Sequence, residues 1–250
     1  MKRLLVLAAI ASLLPVTARP EPLPLRWDPA RDAGVTAAAS LFALALTAPQ
    51  VTPRACRFCG SNAFDARLRG RLVWSDPAAA RTISDVLANG LLPAAVIAHA
   101  VLAARSEGSP PEAAADVLVI AQAAAIAASL DELAKDSVAR RRPGGAGNTS
   151  FYSGHTSLAF SLASAAGTVS SLRGYRSAPW VWTGGMTLAA AVGYLRVASD
   201  AHWATDVLAG AAAGGLVGFA VPWLFHRSLP GAARPRLDVV PAPGGVAVVF

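Results

Sequence analysis

Six stretches of this chain, at roughly 34–50, 84–104, 113–134, 155–173, 177–196 and 203–225, are apolar and separated by short polar loops. Each approaches the ~20 residues that an α-helix needs to cross a hydrocarbon core. Ser177 to Leu195 and Val207 to Phe225 carry no charged residue and are the strongest of the six. A chain that must satisfy its backbone polar groups inside lipid has two options, helices or a closed barrel. Nothing here has the alternation of a strand-rich domain, and no repeat of 20–50 residues is visible. The reading is an all-α, polytopic membrane bundle of about six helices.

Composition agrees. Hydrophobic side chains make up 54% of the 250 residues and charged ones 15%, with a mean hydropathy of +0.45. The net charge of +7 does not point to nucleic acid, because the basic residues sit in loops between apolar runs and not on one face. The run Ala209-Gly210-Ala211-Ala212-Ala213-Gly214-Gly215 lets helix backbones approach closely, as packing in lipid requires. A basic pair, an apolar stretch and Val16-Thr17-Ala18 give residues 1–18 the look of a signal peptide, with an uncleaved anchor as the alternative. A linker at 19–33, the membrane domain at 34–226 and a Pro/Gly-rich tail at 227–250, loop or short strand, complete the layout.

Polar residues near a membrane are costly, so their clusters are the first candidates for function. Three stand out: Lys135 to Arg142-Pro143, Tyr152-Ser153-Gly154-His155, and Arg196 through His202 to Asp206. Lys135 is one of two lysines in a chain whose other 20 basic residues are arginine. Together the clusters supply three cations, two histidines and a carboxylate, the groups that phosphoryl transfer without a metal needs. Lysine binds phosphate as a point charge and arginine as a planar fork. Ser153 and Gly154 precede an apolar helix, where free N–H groups and the positive helix end attract anions. His202 and Asp206, four apart at a helix start, share a face and can meet. A carboxylate there would fix the imidazole tautomer and leave the other nitrogen to attack phosphorus, while His155 protonates the leaving oxygen. Arg140 and Arg141 read as cations marking a membrane boundary, and His99 and His226, outside any motif, as packing residues.

In order and spacing the clusters resemble the tripartite signature of the phosphatidic acid phosphatase type 2 and vanadium haloperoxidase superfamily, K-x6-R-P, P-S-G-H and S-R-x5-H-x3-D. Lys135 and Arg142-Pro143 match the first part, Ser153-Gly154-His155 most of the second, and Arg196, His202 and Asp206 the third. Tyr152 stands in place of the proline and Leu195 in place of the serine. The first two clusters fall between the third and fourth apolar runs and the third between the fifth and sixth. Two crossings separate these loops, so they emerge on one side of the membrane.

The resemblance implies a membrane lipid phosphatase that works through a phosphohistidine. His202 would be the nucleophile, Asp206 its orienting partner and His155 the leaving-group acid. Lys135, Arg142, Ser153, Gly154 and Arg196 would bind phosphate, with no metal and no cofactor. Substrates would be phosphatidic acid, phosphatidylglycerol phosphate or an isoprenyl diphosphate. An exported soluble acid phosphatase, a haloperoxidase and a non-catalytic scaffold are the rivals. The resemblance implies a bacterial-type inner membrane with the site on the periplasmic or extracellular face. The six arginines between residues 54 and 81 favour the cytoplasm by the positive-inside rule. Cys56 and Cys59 form a lone C-x-x-C, too little for a zinc site, open to a disulfide in an oxidising compartment or to free thiols in the cytoplasm.

Overall fold

The computed structural model describes residues 24–228 and the backbone of 238–242 and 245–249. The segment read as a signal peptide lies outside them. Seven helices form the body: α1 Pro29–Leu46, α2 Ala63–Leu72, α3 Pro77–Glu107, α4 Pro110–Val138, α5 Gly154–Leu172, α6 Ala178–Ala198 and α7 Ala204–His226. Six of them carry the six apolar runs, and α2 is an addition. Helices α1 and α3 begin several residues before their apolar runs, since a capping aspartate followed by proline sets each start. Asp28 accepts from the Arg31 N–H and Asp76 from those of Ala78 and Ala79.

In length and composition α3, α4 and α7 are each able to cross a bilayer. Helix α6, ranked among the strongest in the sequence, is not one of these, because Trp180, Trp182, Thr183, Thr187 and Tyr194 lower its hydropathy without adding charge. Large apolar side chains face outward around the bundle, among them Leu41, Phe42, Ile97, Leu102, Trp180, Leu216 and Phe225. In water such a surface would drive aggregation, and in lipid it is the solvent-facing surface. This is a membrane protein.

Proline shapes α3. Pro93 has no N–H to offer the Asn89 carbonyl, and the helix widens to a π-turn over Leu87–Leu91, closed by the Leu92 N–H on the Leu87 carbonyl. Asn89 is thereby carried on a bulge facing the bundle end where the polar clusters lie.

Helix α5 is the central element, with buried positions on every face from Thr156 to Leu172. Its small residues permit this, and the closest neighbour is α7. A Cβ placed on Gly210, Gly214 or Gly218 would fall 2.7, 2.1 or 2.3 Å from the backbone oxygens of Ser153, Ser157 and Ser161. A glycine every fourth residue on α7 thus meets a carbonyl every fourth residue on α5, and no side chain fits between them. At the far end of α5, Arg173 Nε and Tyr175 Oη donate to the buried Asp116 of α4 at 2.8 and 2.9 Å. His226 is buried between Gln122 and the Arg26 carbonyl, and His99 meets Ser177, so both serve packing as expected. Within the tail, Asp238–Ala242 and Gly245–Val249 pair as an antiparallel hairpin.

Gly214→Ala is expected to lower the thermal stability of the detergent-solubilised protein by about 1–3 kcal/mol, the scale of overpacking, since the Ser157 carbonyl is backbone and cannot step aside. Gly215→Ala, whose Cβ meets nothing within 4 Å, should leave the unfolding midpoint almost unchanged.

Candidate active site

The loop between α4 and α5 crosses one end of the bundle. It starts with Ala139 at φ 49° and is closed on itself by the Ser150 N–H on the Arg140 carbonyl (2.9 Å) and the Arg142 N–H on the Gly147 carbonyl (3.0 Å). It meets the loop from α6 to α7, so the three clusters converge as their parity requires.

His202 is the buried centre, 3% exposed. Its Nδ1 lies 2.7 Å from the Ser150 carbonyl oxygen. A carbonyl can only accept, so Nδ1 carries the proton and Nε2 is left with a free lone pair. Burial, followed by the nearby charges of Arg142 and Arg196 and then Lys135, pushes the imidazole well below its ordinary value near 6.5, against a smaller opposing pull from the Ser150 carbonyl. At neutral pH His202 is therefore uncharged.

Asp206 was expected to hold this tautomer, and the geometry gives that task to Ser150. Asp206 Oδ2 stands 4.0 Å from Nδ1, beyond hydrogen-bond reach. It instead accepts from Ser150 Oγ at 2.5 Å and from the Trp203 N–H at 3.0 Å. Asp206 thus acts on His202 at one remove, by fixing the residue whose carbonyl orients the ring.

The second correction is Arg140. It is not a boundary cation but is 9% exposed, with Nη1 on Asp206 Oδ1 and Thr205 Oγ1 and Nη2 on Asp65 Oδ2. Asp65, on α2, also accepts from the Thr205 N–H and hydroxyl. Arg69 of the same helix forms a two-bond pair with Asp200, 2.7 Å each. A helix absent from the sequence reading thus fastens the loop that carries His202. A search for long apolar runs could not reveal it, because α2 has only 10 residues and is interrupted by Asp65, Arg67, Arg69 and Arg71.

Of the other expected residues, Lys135 Nζ pairs with Asp131 (2.6 Å) and Glu132 (2.7 Å), which leaves one ammonium proton free. It lies against the start of α5, since a Cβ on Gly154 would fall 3.1 Å from it and 2.4 Å from Asp131 Oδ2. Gly154 is the residue that makes room for this pair. Arg142 makes only long contacts, 3.2–3.4 Å, to Thr149 and the Ala201 carbonyl. Arg196 Nη1 donates to Ser84 Oγ and Asp85 Oδ1 at 2.8 and 2.9 Å, and its buried Nε has no partner among the described residues. Ser153 is less available than expected. Its N–H donates to the Asp206 carbonyl at 3.1 Å and its hydroxyl is paired with Thr156, so the open amides at this helix start are those of Gly154 and His155. His155 Nε2 contacts Asp85 and Asn89, neither of which a motif marks. Tyr152, in place of the proline, is buried and packs edge-on against Phe151.

The bundle end therefore gathers open cationic donors and amides around one neutral histidine. A sequence profile described as PAP2 superfamily matches residues 116–230. This span resembles a PAP2 superfamily domain. It contains all three clusters. Over 90 residues, 36% of the chain, the protein is 41% identical to a lipid A 1-phosphatase of Porphyromonas gingivalis. The chain spans only 19% of that relative's length. The structure superposes on a transmembrane PAP2 type phosphatidylglycerolphosphate phosphatase from Bacillus subtilis with a TM-score of 0.51 and 19% identity, covering 76% of this chain and 93% of that one. At that identity the likeness establishes a shared fold, the helical PAP2 bundle.

Arg140→Ala would leave Asp65 and Asp206 buried without their cation. The expected cost is about 3–5 kcal/mol of stability, read as a lowered unfolding midpoint in detergent. Arg141→Ala, whose backbone carbonyl rather than side chain receives Trp203 Nε1, should be close to wild type.

Proposed function

We propose that the protein is a membrane phosphatase that removes a phosphate from a lipid phosphate monoester or diphosphate through a phosphohistidine. The observation that carries this reading is the buried His202, whose Nδ1 is tied to a carbonyl and whose Nε2 is bare among Lys135, Arg142 and Arg196.

The three cations bring a phosphate to His202, with the Gly154 and His155 amides at the start of α5 completing the cradle. Nε2 attacks phosphorus and the bond from phosphorus to the lipid oxygen breaks. That oxygen takes a proton from His155. Water then attacks the phosphohistidine, giving its proton to His155, and inorganic phosphate leaves. Side chains already supply the positive charge that such a reaction needs. Lipid A 1-phosphate and phosphatidylglycerol phosphate, the substrates named for the two relatives, are both lipid phosphate monoesters and suit this cradle.

The site is assigned to the periplasmic or extracellular face. In support, Cys56 and Cys59 are joined as a disulfide, a bond that persists in oxidising compartments. Its loop is bound to the site's own loop, with the Arg57 N–H on the Ala139 carbonyl (2.9 Å) and the Arg141 N–H on the Phe58 carbonyl (3.0 Å). The arginines that argued for the cytoplasm are partly committed to structure, Arg57 to the Ser137 carbonyl and Arg69 to Asp200. The exported soluble phosphatase is disfavoured by the apolar outer surface.

Purified protein in detergent should release phosphate from at least one lipid phosphate in the presence of EDTA, and vanadate should inhibit it. Rapid acid quenching should trap protein-bound phosphate in the wild type and none in His202→Ala. Activity lost on chelation and restored by magnesium would overturn the metal-free mechanism. Lys135→Ala and Arg142→Ala should each lower kcat/KM by roughly a hundredfold or more. Because His202 must be neutral to attack and its folded value lies below 6.5, the acid limb of kcat/KM should fall below that pH. For sidedness, a membrane-impermeant thiol reagent should label Cys56 and Cys59 in intact cells after reduction. Labelling that requires permeabilised cells would place the site in the cytoplasm.

A further inference from the structure

Helix α3 contributes none of the three clusters, yet it faces the site with Ser84, Asp85 and Asn89. One oxygen of Asp85 does two things. Oδ1 lies 3.0 Å from His155 Nε2 and 2.9 Å from Arg196 Nη1. A carboxylate can only accept, so the contact is an ion pair once Nε2 is protonated, and it leaves Nδ1 for the remaining work of the ring. Asn89 Nδ2, which can only donate, hydrogen-bonds the same nitrogen at 3.2 Å when Nε2 is unprotonated.

The surroundings of His155 make this carboxylate necessary. Arg196 from α6, Lys135 from α4 and Arg142 from the loop place positive charge around His155, and Asp85 from α3 places the negative one. A histidine enclosed by three cations would not retain the proton that a departing alkoxide must receive. A bound phosphate would offset the cations, and Asp85, whose side chain is 45% exposed, is open to being covered by a bound lipid. With water excluded, the Asp85–His155 attraction strengthens at the moment the proton is needed.

We propose that Asp85 is the positioning residue of the leaving-group acid, holding His155 by Nε2 so that Nδ1–H faces the departing lipid oxygen, and fixing Arg196 at the same time. During transfer the Nδ1–H proton passes to the lipid oxygen as its bond to phosphorus breaks, and Nε2–H stays on Asp85. The same Nδ1 then takes a proton from the attacking water. This inference rests on the phosphatase reading given above.

Asp85→Asn is the test, because the amide oxygen still accepts from Arg196 while the charge is removed. Two substrates are compared, a lipid phosphate whose alkoxide leaves badly and nitrophenyl phosphate, whose leaving group needs little protonation. Asp85→Asn is expected to lose roughly a hundredfold or more on the lipid, the scale of general acid catalysis, and less than about tenfold on the aryl ester. Asp85→Glu should recover part of the lipid activity. Equal losses on both substrates would mean that Asp85 acts only through Arg196 or through folding, and no loss would mean that it does not act on His155; either result overturns the proposal. If the wild-type protein hydrolyses neither substrate, the phosphatase reading itself fails and this inference falls with it.

Discussion

The close contact of α5 with α7 is the constraint on which the site depends. In lipid there is little hydrophobic gain from bringing two helices together, so contact relies on shape and on small residues. Here three glycines of α7 meet three carbonyls of α5 so closely that a methyl group would collide. The contact ends at the Ser153 N–H on the Asp206 carbonyl, the point where His155 and His202 begin their own segments. Two histidines 47 residues apart are thus placed relative to each other by backbone against backbone, which side-chain motion cannot loosen.

Charge is managed by a second device. Burying a carboxylate is expensive unless its oxygens are satisfied, and Asp206 has Arg140, Ser150 and the Trp203 amide for that purpose. Arg140 in turn answers Asp65. The result is an inner ring of satisfied charges that fixes the loops, beside an outer set, Arg142, Lys135 and Arg196, whose donors are only partly used. The difference in saturation separates cations committed to structure from those with donors to spare more clearly than position in the chain does.

Helix α2 and the disulfide loop add a third layer at the same bundle end. Asp65 and Arg69 reach across to Thr205 and Asp200, and Phe58 pairs with Arg140 through the backbone. A polar cap of this kind belongs outside the hydrocarbon, and it gives the loops around His202 rigid support where the membrane helices stop.

Much was legible in the chain itself. Apolar length fixed the helical membrane class, because lipid leaves the backbone few alternatives, and the order and spacing of Lys135, Arg142, His155, Arg196, His202 and Asp206 marked the candidate site through their resemblance to a known signature. The parity of the apolar runs put the clusters on one side. The tertiary structure decided what spacing cannot carry. Arg140 and Arg142 look alike in sequence, yet one is spent on two buried carboxylates and the other makes only long contacts. His202 and Asp206 are four apart, and the expected bond between them is replaced by the Ser150 carbonyl, a backbone atom that no residue pattern announces. Asp85, Asp65 and Asn89 lie 66–140 residues from the groups they contact, with no local signal. Sequence records which groups are present and how neighbours share a helix face; which donor meets which acceptor across the bundle is set by packing, and only the folded backbone specifies it.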